Sequence, residues 1–276
     1  MTIFIGTSGY SYDDWKGKFY PPLAKSSEML PFYAKFFRMT EINSSYYRIP
    51  PRQMMQHILE KVSDDFLFTV KAFKGITHER IGDVDALAAE FNASIAPLVE
   101  AGQLALILLQ FPYSFRNDEG NRNYILDLKE KFPVPIAVEF RNSEWVQEEV
   151  FQMLELAKIS YCCVDEPKMK GLMPPEARVT SDFGYLRFHG RNAEKWFSKE
   201  GPAERYDYLY AEHELHEWVG KIKTMASLTQ KFFVLFNNHP KAYAVRNAAL
   251  LAKMLDIPMP KLPTEDDYDS SLNKFL

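Results

Sequence analysis

Eight short apolar runs recur along the chain, at 2–6, 39–43, 66–71, 104–110, 134–140, 159–165, 184–189 and 232–237. Two of them, LALILLQ and FFVLF, are apolar on both faces, as strands of a parallel sheet covered on each side must be. Between most of the runs lie segments of helical period, at 27–37, 51–62, 84–101, 120–132, 143–158, 207–227 and 241–255. Strand and helix in regular alternation predict βα units joined by right-handed crossovers. Eight such units close into a single (β/α)8 TIM-type barrel, here one domain over 1–276. The sixth unit is the weak one: after Asp165 the chain reads EPKMKGLMPPEARVTSDF, with no clear helical period, so a loop is expected over 166–183. The connection 7–25 and the segment 191–206 are also long and irregular, and long barrel loops tend to carry function. The tail, 256–276, is proline-rich and then acidic, and is expected to wrap the surface.

The stretch PVPIAVEFRNSEW at 133–145 shows how such a unit is built. Pro133 and Pro135 exclude a helix start, and the apolar run after them is too short for a helix. Side chains alternate along a strand, so Pro135, Ala137, Glu139 and Arg141 share one face, while Ile136, Val138 and Phe140 share the other. One face is bulky, for helices packed behind it. The other is small and then charged, for a barrel interior with a polar mouth. Asn142 or Ser143 caps the helix that follows.

Catalytic groups of such barrels sit where strands end. Here those ends carry Thr7, Glu41 and Asn43, Lys71, Gln110, Glu139 and Arg141, Asp165, Arg187 and His189, and Asn237. Period-two counting sets Glu41 with Asn43, Thr69 with Lys71, and Arg187 with His189 on shared faces. Three acids (Glu41, Glu139, Asp165) thus meet three cations (Lys71, Arg141, Arg187), and none of them is desolvated without a partner. The arrangement is either a closed salt-bridge network filling the mouth or, as this reading prefers, a polar pocket with carboxylate and lysine pKa values displaced towards neutrality. Within it Glu139 is the first candidate for a general acid or base, with a carboxylate locked to Arg187 as its structural alternative. Lys71 is a candidate to activate a carbonyl or to hold a phosphate or carboxylate; a covalent Schiff base is open to it, although a lone strand-end lysine rarely establishes one. His189 is a candidate to act near neutral pH. His78 and His239 fall in the loops of the same rim.

An anion site is expected in the loops after the seventh and eighth strands, where Asn237, Asn238 and the helix start at Pro240 lie opposite His189 and Arg191. Asn237 and Asn238 serve equally as caps. The first loop, GTSGYSYDDWKG, matches no complete phosphate-binding glycine motif. Its Tyr12 and Trp15 either stack on a sugar or base or anchor the loop on the rim. No cofactor is expected. A divalent metal held by strand-end acids is disfavoured, because no close ligand motif is present and cations are interleaved with the acids.

Net charge is -4, with 46% hydrophobic residues, which argues against broad electrostatic binding to nucleic acid. The opening apolar run is five residues long and lacks a basic leader, so no signal peptide is expected, and no run reaches the roughly 20 residues of a spanning helix. Cys162 and Cys163, the only cysteines, are adjacent on a strand and point to opposite sides, which excludes a disulfide framework and fits a reducing cytoplasm. Oligomeric state is not legible.

The words IGTSGYSYDDWKGKFYP, TEINSSYYRIP, FTVKAFKGITHER, LLQFP, VEFRNSEW, YLRFHGR and FNNH occur in this order between residues 2 and 255. Together they resemble the YecE-like family, domain of unknown function seventy-two. The resemblance implies a TIM barrel, and it points to Glu41, Asn43, Lys71, His78, Gln110, Glu139, Arg141, His189 and Asn237 as motif positions. It carries no substrate. The expectation is therefore a cytoplasmic enzyme for a small anionic substrate, such as a sugar phosphate or nucleotide fragment, working by hydrolysis or isomerisation. Glu139, with Lys71 or His189, would handle protons, and Arg141, Arg187, Asn237 and Asn238 would hold the anion. The alternative is a non-catalytic barrel whose rim binds nucleic acid or a nucleotide through Lys74, Arg80, Lys168, Lys170 and Arg191.

Overall fold

The computed structural model describes residues 2–198 and 202–272. Eight parallel strands close in sequence order, with β1 (Thr2–Ser8) hydrogen-bonded to both β2 (Met39–Ile42) and β8 (Lys231–Phe236). Between them run β3 (Leu67–Lys71), β4 (Leu104–Gln110), β5 (Ile136–Glu139), β6 (Ser160–Asp165) and β7 (Phe183–Phe188). This is the (β/α)8 TIM-type barrel that the alternating pattern predicts. Glycine is required where β1 meets β2, since a Cβ on Gly6 would lie 2.4 Å from the Met39 carbonyl oxygen.

The outer layer comprises α1 (Ser26–Tyr33), α2 (Arg52–Leu59), α3 (Val84–Glu100), α4 (Glu119–Lys131), α5 (Glu148–Leu156), the short α6 (Pro202–Tyr206), α7 (Glu212–Ser227) and α8 (Tyr243–Met254). The connection from β6 to β7 contains no helix, as the missing period after Asp165 predicts. Apolar spacing decides which helix faces are buried: Leu215, Trp218, Ile222 and Met225 of α7, and Ala244, Ala248, Leu251 and Ala252 of α8. The small side chains of α8 let it lie close against β1 and β8.

Two helices begin well inside their expected segments, α5 at Glu148 and α7 at Glu212. The segment 143–158 divides into a 3-10 turn, Ser143–Trp145, and α5, because Trp145 turns inward to stack on Phe140 at 4.2 Å. Its indole N–H donates to the Phe115 carbonyl. The segment 207–227 becomes helical only at Glu212, because the Tyr210 backbone bonds Asn247 and the Glu214 carboxylate caps the amide of Ala211. In the tail, α9 (Glu265–Leu272) lies back on the first loop, where the Tyr268 hydroxyl donates to the Phe19 carbonyl. The rest of the tail expectation, 273–276, and part of the irregular segment 191–206, namely 199–201, lie outside the described residues.

Candidate active site at the strand ends

Strand parity and chain closure bring Glu41 (β2), Lys71 (β3), Gln110 (β4), Glu139 and Arg141 (β5), Arg187 and His189 (β7) and Asn237 (β8) to one mouth. Arg187 is the hub. Its guanidinium, 1% exposed, donates to Glu139 at 2.6 Å, to Glu41 at 2.6 Å and to the Ser8 hydroxyl at 3.2 Å. The other Glu41 oxygen accepts from the Tyr185 hydroxyl at 2.7 Å. Glu139 is also held by Arg141 at 2.7 Å and by His189 Nε2 at 3.1 Å, and Arg141 reaches Glu166 at 3.2 Å. This is the closed network that the sequence left as the alternative to a pocket. It forms the floor, and a pocket stands above it.

The protonation states follow from the contacts. Burial alone would raise the Glu139 carboxyl. Arg141, Arg187 and His189 outweigh burial and hold it well below the usual carboxylate range. Glu139 is therefore ionised and can only accept, so His189 Nε2 carries the proton of that bond. Nδ1 then takes the Asn237 side-chain N–H, 3.1 Å away. The neutral Nε2–H tautomer satisfies both contacts. Burial and then Arg141 lower the His189 pKa to about 3, so this ring stays neutral and both nitrogens are occupied. A neutral ring lends Glu139 a hydrogen bond but no charge, which leaves the two guanidiniums to carry the depression.

Lys71 differs from every other charge at the mouth. Among the described residues no carboxylate pairs with its amine; Nζ donates to Gln110 Oε1 at 2.7 Å and lies 4.3 Å from the Tyr46 ring centroid. Burial, and then Arg187, lower its pKa to about 7, with Arg141 adding to the shift and Glu139 and Glu41 opposing it. A neutral amide and a ring face stabilise an ammonium far less than a carboxylate does.

The pocket above this floor has a volume of about 610 Å3. Glu41, Asn43, Lys71, Arg141, Arg187 and Asn237 line its base, and Tyr10, Tyr12, Tyr46, Tyr47, Tyr206 and His239 its walls. The Tyr12 and His239 rings stack 4.4 Å apart and nearly parallel, at 5°. The loops that carry them are clamped together: Trp15 Nε1 donates to the His239 carbonyl at 2.7 Å, and the Lys241 amide to Asp14 at 2.6 Å. Lys241 and Ala242 both have positive φ, so the turn after β8 stores strain that this clamp holds. Asn43 Oδ1 and His239 Nδ1 are buried without a hydrogen-bond partner among the described residues.

Several expected site residues stand elsewhere. Asp165 points away from the mouth: it accepts from Tyr210, Trp218 and Arg191 between β6 and α7. On β6 the inward side chains are those in phase with Cys162, whose Sγ lies 3.7 Å from Glu139, so Glu166 fills the place expected of Asp165. Burial raises the Glu166 carboxyl to about 7 despite Arg141. On β1, likewise, Ser8 faces inward while Thr7 turns back to Tyr33. Trp15, 0% exposed, anchors the loop and offers no stacking face. Asn238 bonds Tyr208 and Asn247, a structural tie and not an anion ligand. The amide of Lys241 already serves Asp14, and Arg191 serves Asp165 and Glu217, so the expected anion site after the seventh and eighth strands loses two of its donors. His78 bonds Thr77 and meets the Tyr46 ring edge-on, on a π-helical turn, Gly75–Glu79; burial and Lys71 lower its pKa to about 4.

Among the basic residues a nucleic acid would use, Lys74 pairs with Glu79, Arg191 with Asp165, and Arg80 lies over Phe115. Among the described residues no group of three or more His, Cys, Asp or Glu side chains has metal-site geometry. No helix among them is long and apolar enough to cross a membrane.

Comparison with known proteins agrees with this architecture. The family described as "Protein of unknown function DUF72" matches residues 4–269. UPF0759 protein YunF of Bacillus subtilis is 30% identical over 271 residues, covering 92% of this chain and 95% of that one. A DUF72 family protein from Thermotoga maritima, solved as a crystal structure, superposes with a TM-score of 0.86 at 39% identity, covering 93% of this chain and 100% of that one. Another from Enterococcus faecalis gives 0.84 at 27%, over 95% and 98%. On the extent of these matches, the chain belongs to the DUF72 family, also called UPF0759, whose members share this TIM barrel.

Proposed function

We propose that the barrel is an enzyme for a small, oxygen-rich, anionic substrate, and that Lys71 exchanges the proton on which the reaction turns. One observation carries this reading: an amine with a pKa near 7 borders an open pocket and has no carboxylate partner. General acid–base catalysis works best when the group titrates near the working pH. Glu139, fully engaged beneath the floor, is on this reading a positioning residue that aligns Arg141 and Arg187, and His189 positions Glu139 in turn. The charges at the base are balanced, with Glu41, Glu139 and Glu166 against Arg141, Arg187 and Lys71. Attraction for an anion is therefore local, at the 12%-exposed edge of Arg141. The tyrosine walls suit a sugar ring or a base, which bury a π-face or C–H face while keeping their oxygens bonded. Isomerisation beside a carbonyl and hydrolysis both use such a proton shuttle.

The test is a thermal-shift screen of phosphorylated sugars and nucleotide fragments, followed by turnover assays on the ligands found. Lys71→Met is expected to lower turnover by roughly 10²–10⁴-fold, the usual size of such a contribution, with the fold intact by circular dichroism. With Lys71 as the base, the acidic limb of the wild-type rate should rise with pH through a midpoint at about 7. Equal turnover by Lys71→Met would overturn the assignment. Salt-sensitive oligonucleotide binding without turnover would favour the non-catalytic alternative.

A further inference from the structure

We infer that Lys71 is a covalent nucleophile for a carbonyl substrate, so that the substrate class of this pocket is an aldehyde or ketone bearing an anionic group. The inference rests on the proposed function and deepens it from proton exchange to imine chemistry. Its basis is where the amine stands. Nζ is fixed at the pocket base by one neutral acceptor, Gln110 Oε1, and faces Tyr46 at 4.3 Å. The neighbouring carboxylates that would otherwise pair with the ammonium and hold it charged, Glu41 and Glu139, are both engaged by Arg187. A half-buried lysine beside two guanidiniums, with no carboxylate partner among the described residues, keeps a lone pair available at neutral pH, which is how such amines are activated.

The step balances without an external oxidant or reductant. The amine nitrogen forms a bond to the carbonyl carbon, the C=O π pair moves to oxygen, and a proton passes from nitrogen to that oxygen to give a carbinolamine. The C–O bond then breaks with uptake of one proton. Water leaves and an iminium remains. Its positive charge lies over the Tyr46 ring, within cation–π range, and the Arg141 edge is placed to take the anionic end of the substrate. Imine formation acidifies the adjacent C–H, which joins this step to isomerisation next to a carbonyl.

The experiment is borohydride trapping on the full-length protein, with dihydroxyacetone phosphate, dihydroxyacetone and pyruvate as probes. Peptide mass spectrometry locates the adduct, and a parallel sample is acetylated with limiting acetic anhydride at pH 7. The expected result is one reduced adduct per chain on Lys71, at least tenfold above any other lysine, stronger with the phosphorylated ketone and lost in Lys71→Arg. Acetylation of Lys71 at pH 7 with no carbonyl adduct above the other lysines overturns the covalent role and leaves the proton-exchange reading standing. A Lys71 inert to both reagents overturns both. Wild-type protein alone supplies both overturning outcomes, so the refutation does not depend on a variant that folds.

Discussion

Replacing Arg187 with methionine removes the cation that Glu41 and Glu139 share, two carboxylates that have no access to water. Arg187 is 1% exposed, and the side chains of Glu41 and Glu139 are fully buried. Glu139 keeps Arg141 and His189, but Glu41 keeps only the Tyr185 hydroxyl. Removing one partner of a buried pair costs about 3–5 kcal/mol, because the remaining charge stays desolvated. For a chain of this size that is roughly 6–10 °C in Tm. Urea denaturation of wild type and Arg187→Met at pH 7, compared at equal m-values, reads the difference. Adding Glu41→Gln should restore part of the loss, leaving a coupling of about 1–3 kcal/mol in the double-mutant cycle. A cost below about 1 kcal/mol for Arg187→Met would refute the account of a dry floor held by paired charges.

The outer clamp of Asp165 predicts that Asp165→Asn loses about 2–4 kcal/mol in the same assay, because an amide N–H2 must then face the donors of Tyr210, Trp218 or Arg191; the Lys71 titration should not move. Cys162 and Cys163 are fully buried, and burial raises both thiols, Cys163 to about 12 and Cys162 well above its usual range. Native protein at pH 8 should therefore give no fast reaction with a disulfide reagent, while unfolded protein gives two thiols per chain; a fast native phase would contradict the packing of β6.

Much of this architecture is legible in the sequence because it rests on two periods. Alternation of two-fold and 3.6-fold apolar patterning marks the barrel, and the absence of a pattern after Asp165 marks the helix-free crossover. Parity along β3, β5 and β7 correctly gathers Lys71, Glu139, Arg141, Arg187 and His189. It fails on β1 and β6, where both faces of the strand carry small or polar residues and the phase cannot be read. There Thr7 stands in for Ser8, and Asp165 for Glu166. The signal that resolves β6 is long-range: Tyr210 and Trp218 lie about fifty residues downstream and need an acceptor. Tyr206 carries no such signal, because an irregular segment has no periodicity to place it against the pocket. Tyr185 was within reach, being in phase with Arg187 and His189. Protonation is not a sequence property at all. His189 is neutral and Lys71 is perturbed because of who surrounds them, and those neighbours converge only once the barrel closes.

The measurement that bears most directly on the account is the titration of the Lys71 amine in the intact protein, by reductive ¹³C-methylation and NMR assigned with Lys71→Arg. The account predicts a midpoint at about 7. A Lys71 signal titrating with the surface lysines would contradict it.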